Sequence, residues 1–108
     1  MTAAVRGQIY HIDLGGERGP HYYVVISNNR RNRNLKSVLG CMITSTDKSH
    51  IPTAVRLSHE DSFTGSHILA DTIDELWEDE VAGPPAGYVS TRTMAALGEA
   101  LKIALALT

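Results

Sequence analysis

The chain has 108 residues, of which 43% are hydrophobic and 20% are charged, and its formal net charge at pH 7 is -2. This length predicts a single domain over residues 1–108 that a partner subunit would stabilise further. No apolar run approaches the roughly 18 residues of a membrane-spanning helix, and the N-terminus lacks the apolar segment of a secretory signal. We therefore expect a cytoplasmic protein that does not contact a membrane.

Charge is divided unevenly between the two halves of the sequence. Residues 1–56 contain eight Lys or Arg against three Asp or Glu, a net charge of +5, whereas residues 57–108 contain two against nine, a net charge of -7. A basic half suits a phosphate backbone, although a fold can bring both halves onto one surface. The pattern therefore favours an anionic partner.

The first predicted elements are a strand, a loop and a core strand. Apolar and polar residues alternate imperfectly over residues 9–14, which predicts a half-buried strand. Residues 15–20 contain three glycines and a proline, which excludes regular structure and predicts a flexible binding loop. The run YYVVISNN at residues 22–29 opens with aromatic and β-branched side chains, so it predicts a buried strand.

A second apolar run, VLGCMITST at residues 38–46, follows at hairpin distance and is predicted to pair with this core strand. It ends in three hydroxyl residues, Thr44, Ser45 and Thr46. The connection between the two strands, residues 28–37, is polar at nine of ten positions. Its positive charge comes from Arg30, Arg31, Arg33 and Lys36. We expect this connection to face something anionic.

The second half of the chain contains weaker strands and one helix. Strands are predicted over residues 53–57 and 67–70, and the six carboxylates of residues 71–80 predict a solvated acidic turn. Tyr88 and Val89 follow two prolines and can form at most an edge strand. From Thr91 apolar residues recur at spacings of three and four, which predicts a helix with Ser90 or Thr91 as its N-cap. The apolar residues of this helix are Met94, Leu97, Leu101 and Leu105. The predicted fold class is therefore mainly β (α+β), a small SH3-like, partly open barrel with a C-terminal α-helix.

Most familiar catalytic centres are not favoured by these residues. The histidines and nearby carboxylates, His11, Asp13, His59, Asp61, His67 and Asp71 among them, match no tight metal-ligand spacing. Cys41 is the only cysteine, which excludes an internal disulfide and, within a strand, predicts a buried structural thiol. We expect neither a metal nor another cofactor.

One constellation remains that could carry chemistry. Glu17 and Arg18 lie on the glycine loop, His21 precedes the core strand, and the hydroxyls of residues 44–46 end its partner strand. If the two strands pair, these groups share one sheet edge. Phosphodiester cleavage through an RNA 2'-hydroxyl needs a base, an acid and hydrogen-bond donors for the phosphorane, and it needs no metal. Each residue also has a structural explanation: a strand-edge histidine, a solvated loop arginine and a β-forming threonine.

The order of motifs along the chain resembles that of the MazF/PemK family of toxin endoribonucleases. The matching segments are RGQIYHIDL, a glycine loop, YVVISNNRRNR, MITST, IPTAVRL, HILADTIDEL and a closing helix. The resemblance runs from about residue 6 to residue 107. It implies an SH3-like barrel and a homodimer. It also implies metal-independent cleavage of single-stranded RNA at short sequences and neutralisation by a cognate MazE-like antitoxin.

The resemblance also implies site residues by position. The family's threonine after the isoleucine of the second core strand falls on Thr44. The family's basic residue before the other core strand falls on His21, with Tyr22 where proline is usual, and Arg18 is the nearest substitute cation. The expected catalytic residues are therefore His21, Thr44 and Arg18. The residues expected to contact RNA are Glu17, Arg30, Arg31, Thr46, Asp71 and Thr72.

Two other functions stay open on the sequence alone. The first is a toxin of the same barrel type, similar to the gyrase-poisoning CcdB proteins, which binds a topoisomerase and cuts nothing. The second is an interaction barrel without catalysis. A degenerate copy is a further alternative, because histidine stands at position 21 where the family usually has arginine.

Overall fold

The computed structural model describes residues 2–17 and 19–107. The elements in chain order are β1 (Gln8–Asp13), β2 (Pro20–Val25), α1 (Asn29–Asn34), β3 (Ser37–Thr44), β4 (Ala54–Arg56), β5 (His67–Trp77), β6 (Gly87–Tyr88) and α2 (Thr91–Ala104). Across these residues, no helix is long and apolar enough to cross a membrane.

The six strands form one antiparallel sheet in the order β4-β5-β3-β2-β1-β6. The sheet curls into a half-barrel with the C-terminal helix α2 against it, which confirms the predicted fold class. The predicted central pair is also confirmed, because β2 and β3 align Tyr22 with Ile43 and Val25 with Gly40. β6 pairs only with β1 and lies at the edge of the sheet, as its prolines predict.

Apolar side chains form a separate core on each face of the sheet, because alternate strand residues point to opposite faces. On one face, α2 contributes Met94 and Leu97 to a cluster with strand residues such as Val24 and Ile68. The other cluster is formed by Tyr10, Ile12, Tyr23, Val25, Val38 and Leu76, with Ala4 and Val81. Gly40 leaves room for this packing, since a Cβ there would come within 2.8 Å of Leu76 Cδ1 and 3.2 Å of the Val24 carbonyl oxygen and would force the neighbours to shift.

The helix α2 begins where the sequence predicts. The side chain of its N-cap, Ser90, accepts a hydrogen bond from the Thr93 amide at 3.2 Å. Met94 and Leu97 are buried, and Leu101 is half-buried. The predicted apolar stripe ends one turn early, because Leu105 is 50% exposed beyond the last helical residue.

The predicted acidic turn over residues 71–80 is wrong up to Trp77, because β5 continues to that residue, and is confirmed only for residues 78–80. Apolar residues in this segment align with the partner strand, Ile73 with Cys41 and Leu76 with Val38. Its carboxylates accept hydrogen bonds across the sheet: the Tyr23 hydroxyl donates to Asp74 at 2.7 Å, for example. The carboxylates up to Glu75 therefore lie within a paired strand, and the apolar cross-strand pairs stabilise this strand in place of a turn.

The basic connection between β2 and β3 is a short helix, α1, rather than a hairpin loop. Its N-cap Asn28 accepts hydrogen bonds from the amides of Arg30 and Arg31. Asn32 is fully buried, and its side chain donates to the Ser27 carbonyl and accepts from the Ser27 hydroxyl. Asparagine side chains thus satisfy the backbone of a segment that has no apolar face.

Candidate active site

His21 and Thr44 lie on neighbouring strands at the same end of the sheet. The last aligned pair of β2 and β3 is Tyr22 with Ile43, and the next residue outward on each strand is His21 and Thr44. If the register continues by one residue, their Cβ atoms are about 5 Å apart on one face of the sheet. Both side chains are half-buried. The register therefore puts an imidazole and a hydroxyl at the same end of the central strand pair.

The orientation of Thr44 is set by the turn that follows β3. The amide of Thr46 donates to Thr44 Oγ1 at 3.2 Å, so the side-chain oxygen closes a local turn. A threonine hydroxyl is both donor and acceptor, so its proton remains available to a ligand. Thr46 itself is exposed directly beside this turn.

The glycine loop enters the site from the β1–β2 hairpin. Gly15, Gly16 and Gly19 all have positive φ, and the Gly15 amide donates to Asp13 Oδ1 at 2.8 Å. Because Asp13 pairs with Pro20, the loop leaves the sheet beside His21. Glu17 is exposed on it. Arg18, the predicted substitute cation, lies outside the described residues.

Asp71 and Thr72 lie where the pairing of β5 with β3 shifts register. Ile73 aligns with Cys41 and Ile68 with Ile43, so four residues of β5 oppose the single residue Met42. Bulges of this kind re-aim side chains and are frequent near active sites. Asp71 and Thr72 line a cavity of about 150 Å³ with Lys48, Ile51, Thr53 and Leu69.

Arg30 and Arg31 are not brought to this end of the sheet. α1 contacts the Ser37 end of β3, and Thr44 is the last residue of the same strand. Seven residue steps at about 3.3 Å each separate the two ends by roughly 23 Å. Arg30 is exposed, whereas Arg31 is half-buried and its guanidinium donates to the Ser37 carbonyl at 2.6 Å.

Cys41 is a structural thiol, as predicted. It is fully buried in the core under α2. Burial first, and the nearby charges of Asp71 and Asp74 second, raise the pKa of the thiol to about 12. The thiolate, which is the nucleophile, is therefore scarcely populated at neutral pH.

The sequence prediction missed His67 as a neighbour of the site. Thr44 aligns directly with His67 on β5, and His67 aligns in turn with Arg56 on β4. The sequence predicts a strand that begins at residue 67, but no local pattern indicates that its first residue lies opposite Thr44. Among the described residues, no group of three His, Cys, Asp or Glu could hold a metal ion.

Comparison with known proteins decides the family. Residues 5–105 match the family described as the PemK-like, MazF-like toxin of type II toxin-antitoxin systems. The chain belongs to this family. Endoribonuclease MazF1 of Mycobacterium bovis is 39% identical over 107 residues, which cover 99% of this chain and 97% of the relative. Endoribonuclease MazF4 of Mycobacterium tuberculosis is equally similar.

Solved structures support the same assignment to the MazF fold. An endoribonuclease in complex with its cognate antitoxin, from a mycobacterial species, has a TM-score of 0.88 and 39% identity, with 98% of each chain covered. A MazE–MazF structure from Deinococcus radiodurans has a TM-score of 0.80 at 19% identity and covers 97% of this chain and 98% of its own. The second likeness shows the fold alone.

Proposed function

We propose that this chain is a sequence-specific, metal-independent endoribonuclease toxin that cleaves single-stranded RNA and is neutralised by a cognate antitoxin. Support comes from membership of the MazF family and from relatives that are named endoribonucleases. The single observation that carries the proposal is the juxtaposition of His21 and Thr44 across β2 and β3. These two side chains are of the types that phosphodiester transfer requires.

The proposed reaction is attack of an RNA 2'-hydroxyl on the adjacent phosphorus. A bond forms between the 2'-oxygen and phosphorus, and the bond between phosphorus and the 5'-oxygen breaks. The proton of the 2'-hydroxyl passes to a solvent water molecule, and the leaving 5'-oxygen gains a proton. His21 acts as the acid that protonates the leaving oxygen, and the Thr44 hydroxyl donates to a non-bridging oxygen. Arg18 supplies positive charge to the same phosphate.

The remaining contacts with RNA are proposed in two groups. Glu17, Thr46, Asp71 and Thr72 contact the nucleotides near the cut, because the glycine loop and the β5 bulge border this end of the sheet. Arg30 and Arg31 contribute positive charge near the far end of β3, where only a longer RNA reaches. The first group reads bases and the second binds phosphates.

The proposed partners follow from the family and from the exposed surface. One similar solved structure is an endoribonuclease in complex with its cognate antitoxin. We propose an acidic antitoxin segment that covers the RNA groove, and a homodimer in which a second copy covers exposed apolar side chains. Three of these lie at the C-terminal end of the chain: Ile103, Leu105 and Leu107. Cleavage of messenger RNA implies action in the cytoplasm. The chain is proposed to act as one domain.

Incubation of the purified protein with a long single-stranded RNA in EDTA tests this function. Discrete cleavage products in EDTA, abolished by stoichiometric antitoxin, are the expected result. Inhibition of supercoiling without RNA products would instead support the gyrase-poisoning alternative. Absence of both activities would support an interaction barrel.

A further inference from the structure

A second cavity adjoins the proposed cleavage site on the side away from His21. It has a volume of about 300 Å³ and is lined by Ser45, Asp47, Ser49, Arg56, Gly65 and His67. It continues the row of aligned residues that runs from Thr44 through His67 to Arg56. Since neighbouring strands are about 4.8 Å apart, Arg56 stands roughly 10 Å from Thr44. The cavity therefore lies at the same end of the sheet as Thr44, two strands away.

His67 lines this cavity as a buried residue, with an exposure of 4%. Its Nδ1 has no hydrogen-bond partner among the described residues. Because that atom has almost no accessible surface, the polar contacts with a ligand fall to the exposed lining residues, Arg56 and Asp47.

Arg56 and Asp47 give the cavity one cationic and one anionic wall. Arg56 Nη2 lies beside Gly65, 4.0 Å from the position that a Cβ would occupy if that residue had one. Asp47 Oδ1 accepts hydrogen bonds from the Ser49 hydroxyl and from the Ser49 amide, the latter at 2.9 Å. These two hydrogen bonds, and after them His67 and His50, lower the pKa of the Asp47 carboxyl, so it is ionised at neutral pH.

We propose that this cavity is a base-reading subsite for guanine, next to the scissile phosphate of the RNA. The inference rests on the proposed ribonuclease function and specifies its substrate. A phosphate is disfavoured because the Asp47 carboxylate would repel it. Guanine alone presents an acceptor pair, O6 and N7, beside a donor pair, N1–H and the N2 amino group. Arg56 donates to O6 and N7, and Asp47 accepts from N1–H and the amino group.

Binding of a non-cleavable RNA library, with 2'-O-methyl riboses, tests the subsite independently of catalysis. Selection on the wild-type protein is expected to enrich guanine at one position. At that position, 7-deazaguanine lacks the acceptor for Arg56, and inosine lacks the amino donor for Asp47. Each substitution should weaken binding about 10-fold, since a specific base contact contributes roughly 1–3 kcal/mol and 1.4 kcal/mol is tenfold.

Two variants assign each contact to its residue. Arg56→Gln should bind guanine and 7-deazaguanine equally, and Asp47→Asn should bind guanine and inosine equally. The matched controls are Arg92→Gln and Asp79→Asn, which change exposed charges away from the cavity and should keep both preferences. Unchanged melting temperatures will show that the variants are folded.

The outcomes separate this inference from the proposed function. RNA binding without a guanine preference, or a preference that survives both variants, overturns the guanine subsite and leaves the ribonuclease intact. Failure of the wild type to bind any RNA overturns both. Enrichment of a different base that depends on Arg56 also contradicts the assignment to guanine.

Discussion

The Ser37 hydroxyl donates to Glu75 Oε2 at 2.6 Å, and this pair ties the start of β3 to β5. Arg31 completes the arrangement, because its guanidinium donates to the Ser37 carbonyl at 2.6 Å and to the Ser37 hydroxyl oxygen at 3.3 Å. The residues come from the basic and the acidic half of the sequence. A basic residue of the first half and an acidic residue of the second half, Arg31 and Glu75, thus both bind Ser37 and attach α1 to the sheet.

Arg31 and Arg30 should consequently respond differently to substitution. Arg31→Ala should lower the free energy of unfolding by about 1–3 kcal/mol, because it leaves a buried acceptor at Ser37 without its donor. Arg30 is exposed, so Arg30→Ala should leave stability unchanged and reduce the salt dependence of RNA binding by a slope of roughly 0.7. Urea unfolding and salt titration of RNA binding measure the two effects. If the salt dependence of RNA binding is unchanged in Arg30→Ala, then α1 does not belong to the surface that binds RNA.

Thr44→Ala should lower the cleavage rate on the order of 10²-fold with little change in stability. One preorganised donor at a developing negative charge contributes about that much. Single-turnover cleavage of a defined RNA is the measurement, and Thr91→Ala, an exposed threonine at the start of α2, is the control. A fully active Thr44→Ala protein with unchanged melting temperature would exclude Thr44 from the site.

The sequence predicts the fold well where one pattern dominates. The aromatic and β-branched run of β2 and the spacing of Met94 and Leu97 each identified their element. The errors arose where local composition and tertiary contacts disagree. The carboxylates of residues 71–80 indicate a turn, yet cross-strand partners such as Tyr23 stabilise them in β5. Likewise, the polar segment before β3 forms a helix because the Asn28 side chain caps its first backbone amides. Its one buried side chain, that of Asn32, is hydrogen-bonded to the Ser27 carbonyl.

The candidate site could be predicted only in part, for a related reason. Thr44 and His21 each end a strand that the sequence identifies, so strand pairing alone brings them together. His67 lies opposite Thr44, and Arg56 lies opposite His67, because of the register of β5 with β3 and β4. That register depends on the bulge opposite Met42, which no local sequence pattern indicates.

Asp61 should make the stability of the fold depend on acid. Burial alone would raise the pKa of its carboxyl, but hydrogen bonds from the Ser90 amide, the Thr93 hydroxyl and the Ser58 amide outweigh burial and lower it from 3.8 to about 2. The unfolded chain therefore binds a proton more tightly than the folded one. The Asp61 carboxylate contributes about 2 kcal/mol to the free energy of unfolding. This contribution is complete above roughly pH 4 and is lost as the pH falls towards 2.

Thermal unfolding between pH 2 and 7 measures this contribution. Asp61→Asn should be less stable than the wild type at pH 7 and should lose less stability on acidification. Asp79→Asn, which changes an exposed carboxylate, is the control. Parallel pH curves for Asp61→Asn and the wild type would contradict the role assigned to Asp61.

An acidic antitoxin peptide should compete with RNA for the same surface. A disordered acidic segment can contact the basic residues proposed to bind phosphates, Arg30 and Arg31, and can add to a sheet edge, so that it excludes RNA from this surface. Fluorescence polarisation of a labelled, non-cleavable RNA during peptide titration measures the competition. Formation of a ternary complex of toxin, peptide and RNA would show that the two sites are separate.

The histidine at position 21 and Arg18 are the two candidates for the group that assists the leaving oxygen. His21→Gln removes the donor proposed to protonate that oxygen, so it should lose most of the single-turnover activity. His21→Arg keeps a cationic donor at the same place and should retain activity. His59→Gln, an exposed histidine, serves as control. If Arg18 supplies the charge instead, Arg18→Ala will be the inactive variant. A His21→Gln protein as fast as the wild type would then assign the role to Arg18.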